Sequence, residues 1–173
     1  MTAAELKDKV RSIPDFPIKG ILFRDITPVL SDPASLRAAI DLMANAYKDA
    51  KIDVVVGIEA RGYILGAPLA YKLDAGFVPV RKPGKLPFEK ISVDYALEYG
   101  TNTLEMHRDA IARGARVLVV DDLLATGGTA AAVRKMVDQL GGTIVGFAFL
   151  IELTALDGRA KLPGLDIKSF ITY

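Results

Sequence analysis

Uninterrupted aliphatic runs are the feature that most limits how this chain can fold. They occupy residues 52 to 58, 116 to 120 and 143 to 151, and each is rich in Val, Ile or Leu. A strand that is apolar on both faces has to be covered on both faces, which is typical of a parallel sheet between layers of helices. Helical periodicity fills much of the chain between these runs, so the sequence predicts an α/β fold with an open, mostly parallel sheet flanked by helices.

Capping and helix-breaking residues place the other elements. Thr2 and Glu5 have capping-box spacing and predict a short helix that ends before Pro14, and Pro33 lies just inside the start of a second helix, from about residue 32 to 50. Periodicity predicts a helix over 63–73 that contains Pro68, a strand over 77–80, a helix over 103–112 and a helix over 130–140 that stops at Gly141-Gly142.

Size and composition indicate one ordinary globular domain. The chain has 173 residues, a formal charge of +1 and no cysteine, so disulfides and thiolate metal sites are excluded and no broad electrostatic field favours nucleic acid or membrane. No apolar run reaches the roughly 18 residues that span a bilayer, and the polar N-terminus is unlike a signal peptide. We therefore expect a cytoplasmic protein without a nucleic-acid or membrane partner.

The least ordinary segment is VLVVDDLLATGGT, residues 117 to 129. Its strand is followed, before the next helix, by a loop of small residues: Ala125, Thr126, Gly127, Gly128 and Thr129. Unpaired N–H groups and the dipole at a helix N-terminus favour a phosphate, the glycines allow close backbone approach, and the threonines add hydroxyl donors. The loop therefore predicts a phosphate site.

Two adjacent acids, Asp121 and Asp122, precede that loop and would repel a phosphate. They suit a ligand that places hydroxyl groups or a magnesium ion between the acids and its phosphate, as a ribose 5-phosphate does, because carboxylates accept strong charge-assisted hydrogen bonds from a diol. The alternative is a polar turn in which one acid only caps the helix. Neither a GxxxxGK[ST] nor a GxGxxG phosphate motif is present.

Two other predicted strands also end in polar loops, at residues 59 to 62 and 81 to 85. Ligands of open α/β sheets bind beyond the carboxyl ends of the strands, so the three loops should meet in one cleft. Residues 83 to 102 have little regular pattern, and loops of that length in compact domains are usually functional lids. We expect a long flexible active-site loop there.

These motifs carry a family resemblance over nearly the whole chain. VLVVDDLLATGGT resembles the phosphoribosyl pyrophosphate (PRPP) signature of the type I phosphoribosyltransferases, and FRDITP and LEYG are similar to the adenine-specific branch of that family. The resemblance implies purine salvage, in which 5-phosphoribosyl passes from PRPP to N9 of adenine and gives AMP and pyrophosphate. It also implies a homodimer, an N-terminal hood over about residues 14–30, and Mg²⁺ carried mainly by the PRPP pyrophosphate, with no direct protein ligand.

The same resemblance assigns roles to the pyrophosphate side of the site. Arg61 and the backbone from Glu59 through Ala60 would bind pyrophosphate, and the peptide between Glu59 and Ala60 would be cis. Further positive charge would come from Arg81, Lys82 and Lys85, some of which could reach a neighbouring subunit. There are two alternatives: Arg61 could form a surface ion pair, and residues 81–85 could be a solvated turn. Glu98 would manage the proton of the purine, with Tyr99 as a covering aromatic.

On the adenine side, the resemblance implies that the backbone of Arg24 recognises the base. Phe23 and Leu153 would be apolar walls, with Leu123 and Ala125 beneath the base. Phe23 could instead be a core residue, and Arg24 could instead pair with the acids. His107 is expected to be exposed on a helix and receives no catalytic role.

Two other functions stay open from the sequence. One is transfer to another purine base, and the other is a non-catalytic regulator of the same fold that senses PRPP or purines. Pyrophosphate release in the presence of each base distinguishes them.

Overall fold

A computed structural model describes residues 1 to 97 and 100 to 173, apart from the side chain of Leu97. The helices are α1 (Ala3–Lys9), α2 (Thr27–Ser31), α3 (Pro33–Tyr47), α4 (Arg61–Lys72) and α5 (Gly128–Leu140). The strands are β1 (Arg11–Pro14), β2 (Leu22–Asp25), β3 (Val54–Ile58), β4 (Gly76–Val80), β5 (Lys90–Leu97), β6 (Gly100–His107), β7 (Arg116–Leu124), β8 (Thr143–Glu152) and β9 (Ile167–Thr172). Two 3-10 turns cover Thr154–Leu156 and Gly158–Lys161.

The central sheet confirms the predicted α/β class. Its order in the described residues is β4-β3-β7-β8-β9, and all four neighbouring pairs are parallel. From β3 the chain turns to one side for β4, and β7 returns to the other side of β3 before β8 and β9 follow outward. The strand order thus reverses between β3 and β7, and this reversal opens a crevice at the carboxyl ends of those two strands.

Each face of the sheet is covered by its own apolar core. Residues of β7 alternate between the cores, with Leu118 and Val120 packed in one and Val117 and Val119 in the other. Helices α1, α3 and α4 supply the first core, and α5 with the β5–β6 hairpin supplies the second. This two-sided burial is the physical reason for the uninterrupted aliphatic runs.

Local signals placed several helix boundaries correctly. The Thr2–Glu5 capping box forms at α1, and Asp32 caps α3 by accepting a hydrogen bond from Ser35 N, with a proline at the start of the helix. Helix α5 ends at Gly141, which has the left-handed conformation at φ 79°. Pro68 lies inside α4 as predicted.

Residues 83 to 112 differ most from prediction. The helix predicted over 103–112 is wrong, because strands β5 and β6 form an antiparallel hairpin in which Val93 lies opposite Leu104. This hairpin also gives regular structure to much of the segment predicted as an irregular lid. Ile91, Val93 and Tyr95 alternate with polar or small residues, which is a strand signal. The prediction gave this signal less weight than the helical pattern of residues 103–112.

The N-terminal segment and the chain beyond β8 contain further strands that periodicity did not predict. Strands β1 and β2 pair antiparallel as an N-terminal hairpin, in which Ser12 lies opposite Arg24. Strand β9 adds to the sheet edge beside β8. Among residues 1–97 and 100–173, no helix combines the length and apolar character that crossing a bilayer requires.

Candidate active site

The crevice between β3 and β7 collects the polar loops that the sequence singled out. A cavity of about 330 Å³ lies there. It is lined by Ile58, Glu59, Ala60, Arg61, Lys82, Tyr95, Leu104, Asp121, Asp122 and Thr129. The three predicted strand-end loops therefore do meet in one cleft.

Close backbone packing holds two of these loops together. Gly62, in the first turn of α4, lies so near the end of β7 that a Cβ there would be 2.9 Å from both Asp121 Oδ1 and Val120 O. Only glycine fits such an approach. The peptide between Glu59 and Ala60 is cis, as the resemblance implied. The start of α4 is thus fixed beside the acid pair.

Arg61 and Asp122 form the central ion pair of the cavity. Arg61 Nε donates to Asp122 Oδ2 at 2.5 Å, and the Asp122 side chain is only 6% exposed whereas that of Arg61 is 47% exposed. The alternative reading of Arg61 as a surface ion pair is met in part, since its partner is one of the two acids of the signature. Nearly half of the Arg61 side chain stays exposed beside the cavity, so its guanidinium can also donate to an anion.

Asp121 is in a different electrostatic position from its neighbour. Burial raises the pKa of the Asp121 carboxyl well above its usual range, and the adjacent Asp122 carboxylate raises it further. Asp121 Oδ1 accepts a hydrogen bond from Asp122 N at 2.9 Å. A hydroxyl donor or a cation in the cavity would relieve this repulsion, which is what the predicted sugar diol supplies.

Beside the main cavity, the small-residue loop forms a pocket of about 70 Å³. It is lined by Asp121, Leu123, Leu124, Ala125, Thr126, Gly127, Thr129, Ala130 and Phe149. Gly127 has φ 77°, and α5 begins at the next residue, so unpaired N–H groups of the first helical turn face this loop. Asp121 and Thr129 line both spaces, so the two spaces are adjacent.

A segment without any predicted role supports this loop from below. A Cβ on Gly127 would lie 2.3 Å from Gly158 O, and a Cβ on Gly158 would lie 2.3 Å from Ala125 O. The two backbones are therefore in direct contact. Gly158 lies in the stretch LIELTALDGR, residues 150 to 159, and the sequence does not reveal which loop its backbone touches.

Arg159 fixes that supporting segment to the sheet. Its Nε and Nη2 donate to the two carboxylate oxygens of Glu152, each at 2.7 Å, and Nη2 also donates to Ser169 Oγ at 3.0 Å. Glu152 is 6% exposed, and the hydrogen bonds from Arg159 lower the pKa of its carboxyl. A bidentate pair of this kind sets position as well as charge.

The basic residues among 81 to 85, after β4, differ in whether a carboxylate neutralises them. Glu59 Oε2 accepts from Lys82 N at 2.9 Å, while Lys85 Nζ donates to Glu59 Oε1 at 2.9 Å and Arg81 Nε lies 3.4 Å from Oε2. The hydrogen bond from Lys85 lowers the pKa of the Glu59 carboxyl. Two of the three cations therefore face a carboxylate, whereas the Lys82 side chain lines the cavity and has no carboxylate partner within the described residues.

Of the residues assigned to adenine, Leu123 and Ala125 line the smaller pocket, whereas Phe23, Arg24 and Leu153 line neither of the two spaces. Phe23 is on β2, half-buried, with its ring centroid 5.1 Å from that of Phe16 and 5.4 Å from Arg61 Cζ. Leu153 follows β8, and its N–H donates to Leu124 O at 2.9 Å. The side chain of Arg24 does not pair with the signature acids; its Nη1 donates to Ser12 Oγ at 2.5 Å.

Comparison with known proteins agrees with this geometry. A family model described as phosphoribosyl transferase domain matches residues 26–167. The adenine phosphoribosyltransferase of Clostridium perfringens (strain SM101 / Type A) is 59% identical over 168 residues, which cover 97% of this chain and 98% of that protein. The chain belongs to the adenine phosphoribosyltransferase family.

Solved structures of this family have the same fold. The adenine phosphoribosyltransferase of Thermoanaerobacter pseudethanolicus ATCC 33223 matches with a TM-score of 0.97 at 56% identity, covering 99% of this chain and all of that one. The Saccharomyces cerevisiae enzyme, crystallised with an imino-altritol bisphosphate and adenine, matches with a TM-score of 0.92 at 41% identity, covering 97% of each chain.

Two assignments that follow from the family motif LEYG lie outside the described residues. They are Glu98 and Tyr99. The adjoining hairpin nevertheless reaches the site, because Tyr95 of β5 and Leu104 of β6 line the main cavity. Sequence reasoning missed both of these residues, since it did not expect strands there.

His107 lies at the end of β6 rather than on a helix, and it is partly buried rather than exposed. Its ring lies 6.2 Å from that of Phe88, and its buried Nε2 has no hydrogen-bond partner among residues 1–97 and 100–173. It is not among the residues that line the main cavity.

Proposed function

We propose that this protein is a purine salvage enzyme that transfers 5-phosphoribosyl from PRPP to N9 of adenine, forming AMP and pyrophosphate. The observation that carries the proposal is the pair of adjacent cavities at the reversal of strand order, where an acid pair, a phosphate-type loop, Arg61 and Lys82 meet. Family membership supports the same reaction.

In the proposed complex, the 5-phosphate occupies the smaller pocket. Backbone N–H groups from Ala125 to Thr129 and the hydroxyls of Thr126 and Thr129 donate to its oxygens, aided by the positive end of α5. Asp121 and Asp122 accept from the 2- and 3-hydroxyls of the ribose. The raised pKa of Asp121 supports this role, because a diol donor stabilises the carboxylate that burial disfavours.

Pyrophosphate then lies over the start of α4. Arg61 and the backbone of Glu59 and Ala60 donate to it, and Lys82 supplies the nearest free-facing ammonium group, with Arg81 and Lys85 contributing more weakly because Glu59 offsets them. As the bond from the anomeric carbon to pyrophosphate breaks, negative charge accumulates on the leaving group. Donors fixed in advance stabilise that charge and so lower the barrier.

The new bond joins N9 of adenine to the anomeric carbon. Glu98 receives the proton that the purine loses, and Tyr99 covers the base; both roles rest on the family motif. The backbone C=O of Arg24 accepts from the 6-amine, between Phe23 and Leu153 with Leu123 and Ala125 beneath. A 6-oxo purine would set its carbonyl against that carbonyl, and a buried unpaired acceptor is costly enough to exclude it.

Magnesium fits this site through its substrate rather than through a protein cage. The described residues contain no cluster of three side chains able to hold a metal, but Asp121 is a half-buried carboxylate whose repulsion by Asp122 a cation would offset. We propose that Asp121 and Asp122 approach Mg²⁺–PRPP through water. When bound, the ion neutralises part of the pyrophosphate charge.

Assembly and location are further parts of the proposal. A homodimer follows from the family resemblance. Sedimentation equilibrium of the purified protein would give twice the chain mass. The absence of cysteine agrees with a cytoplasmic location, which fractionation of the source cells would check.

Base-dependent pyrophosphate release tests the reaction itself. The protein is mixed with PRPP and Mg²⁺ and with adenine, hypoxanthine, guanine or xanthine in turn. We expect release, and AMP, with adenine alone. Release with a 6-oxo purine instead would assign another base, and binding of PRPP without release with any base would indicate a non-catalytic sensor.

A further inference from the structure

Tyr173 lies between the N-terminal hairpin and the central sheet, with a cation near its ring on each of two elements. Arg24 Cζ is 3.6 Å from the centroid of the ring, and Lys7 Nζ is 4.5 Å from it. Both distances are within the range of cation–π attraction. The ring therefore joins β2 to helix α1.

The backbone of Tyr173 is bound to the end of β8 and the residues that follow it. Its N–H donates to Glu152 O at 3.0 Å, and its C=O accepts from Thr154 N at 2.9 Å and from Thr154 Oγ1 at 2.7 Å. Leu153 lies between the two residues that make these bonds. Tyr173 therefore has its backbone bound beside Leu153 and its ring against Arg24.

The N-terminal hairpin needs such an attachment because its own pairing does not extend to the sheet. In the described residues, β1 and β2 form a two-stranded sheet of their own. An isolated two-stranded pair is only marginally ordered without packing. The Arg24 side chain also bonds Ser12 on the same hairpin, so of these two contacts it is the one with Tyr173 that links the hairpin to the rest of the fold.

We propose that Tyr173 is a positioning residue for the purine base. By holding the guanidinium of Arg24, the ring sets the backbone of Arg24 at a fixed distance from Leu153 across the base site. This inference rests on the proposed placement of adenine between β2 and Leu153, and it gives the Arg24 side chain a role in base binding that needs no contact with the base.

Steady-state kinetics with both substrates varied test the proposal. Tyr173→Leu removes the ring and should raise the KM for adenine by about three- to tenfold, the scale expected for one or two cation–π contacts, while the KM for PRPP changes by less than about twofold. Tyr173→Phe keeps the ring and should stay within about twofold of wild type for both substrates. Tyr71→Leu, at an 89% exposed tyrosine, is the matched control.

A double-mutant cycle separates the ring contact from a general loss of folding. Arg24→Met should raise the adenine KM to a similar degree, and Tyr173→Leu should add little in the Arg24→Met background. Additive effects, equal rises in both KM values, or an unchanged adenine KM in Tyr173→Leu would overturn the inference. If Tyr173→Leu does not fold, the cycle is run with Arg24→Met and Lys7→Met, which leave the tyrosine in place.

Phe23→Ala distinguishes an error in the positioning role of Tyr173 from an error in the proposed base site. A raised adenine KM in Phe23→Ala with none in Tyr173→Leu refutes the positioning role alone. An unchanged adenine KM in both variants refutes the placement of the base, and the positioning role with it.

Discussion

Replacement of Gly158 by alanine tests whether the supporting segment sets the position of the phosphate loop. Gly158 is buried, and a Cβ built there would lie 2.3 Å from Ala125 O and 2.9 Å from Leu124 Cδ1. Ordinary contact begins at 3.4 Å, so one of the two backbones has to move by about 1 Å, which close-packed interiors resist.

The size of the effect follows from that displacement. Overpacking of this kind costs about 1–3 kcal/mol in the free energy of unfolding, which for a chain of this length lowers the thermal midpoint by roughly 2–4 °C per kcal/mol. A misplacement of about 1 Å at a reacting site can cost on the order of 10² in rate. We therefore expect kcat/KM for PRPP to fall about a hundredfold in Gly158→Ala.

Initial rates at saturating adenine with PRPP varied, together with a thermal melt, measure both effects. Gly76→Ala is the control, because a Cβ there would meet a valine methyl at 3.2 Å and Asp53 O at an ordinary 3.7 Å, at the end of β4 away from the cavity. A Gly158→Ala enzyme with kcat/KM for PRPP within about twofold of wild type would refute the claim that this glycine positions the loop.

Three further predictions address the acids and cations of the site. Glu98→Gln should keep substrate binding but lose roughly 10²–10⁴ in turnover, the range for a general acid–base group; near wild-type turnover would remove Glu98 from the mechanism. Asp121→Asn should raise the thermal midpoint of the free protein. The raised pKa of Asp121 gives native-state stability that is complete below the unfolded pKa and is lost as the pH rises through the folded pKa. The gain from asparagine should therefore be largest near pH 8 and vanish in acid, as melts across that range would show; a gain independent of pH would contradict the assigned cause. Lys82→Met should weaken PRPP use by about 10- to 100-fold, as expected when a hydrogen bond to a charged group is lost. Lys85→Met, whose ammonium group faces Glu59, should lose less than about fivefold, so equal losses in a PRPP titration would count against the proposed difference.

The sequence by itself determined the fold class, and it predicts a phosphate site at the signature loop. Aliphatic runs report burial on both faces of a strand, and caps such as Thr2, Asp32 and Gly141 act within a few residues of themselves. The small residues after Asp122 likewise predict a phosphate ligand, because the close approach of a ligand to the backbone and the unpaired N–H groups depend only on local backbone structure. Such properties are readable without knowing which elements are neighbours.

Tertiary structure decided which of the candidate charges face the cavity and what holds the loops in place. The residues 81–85 read as one basic cluster, yet Glu59 neutralises part of it, and only the order β4-β3-β7 brings Glu59 there. Contact between Gly127 and Gly158, and between Arg24 and Tyr173, joins segments separated by 31 and 149 residues. No local pattern encodes such contacts, because they depend on the free energy of packing the whole sheet.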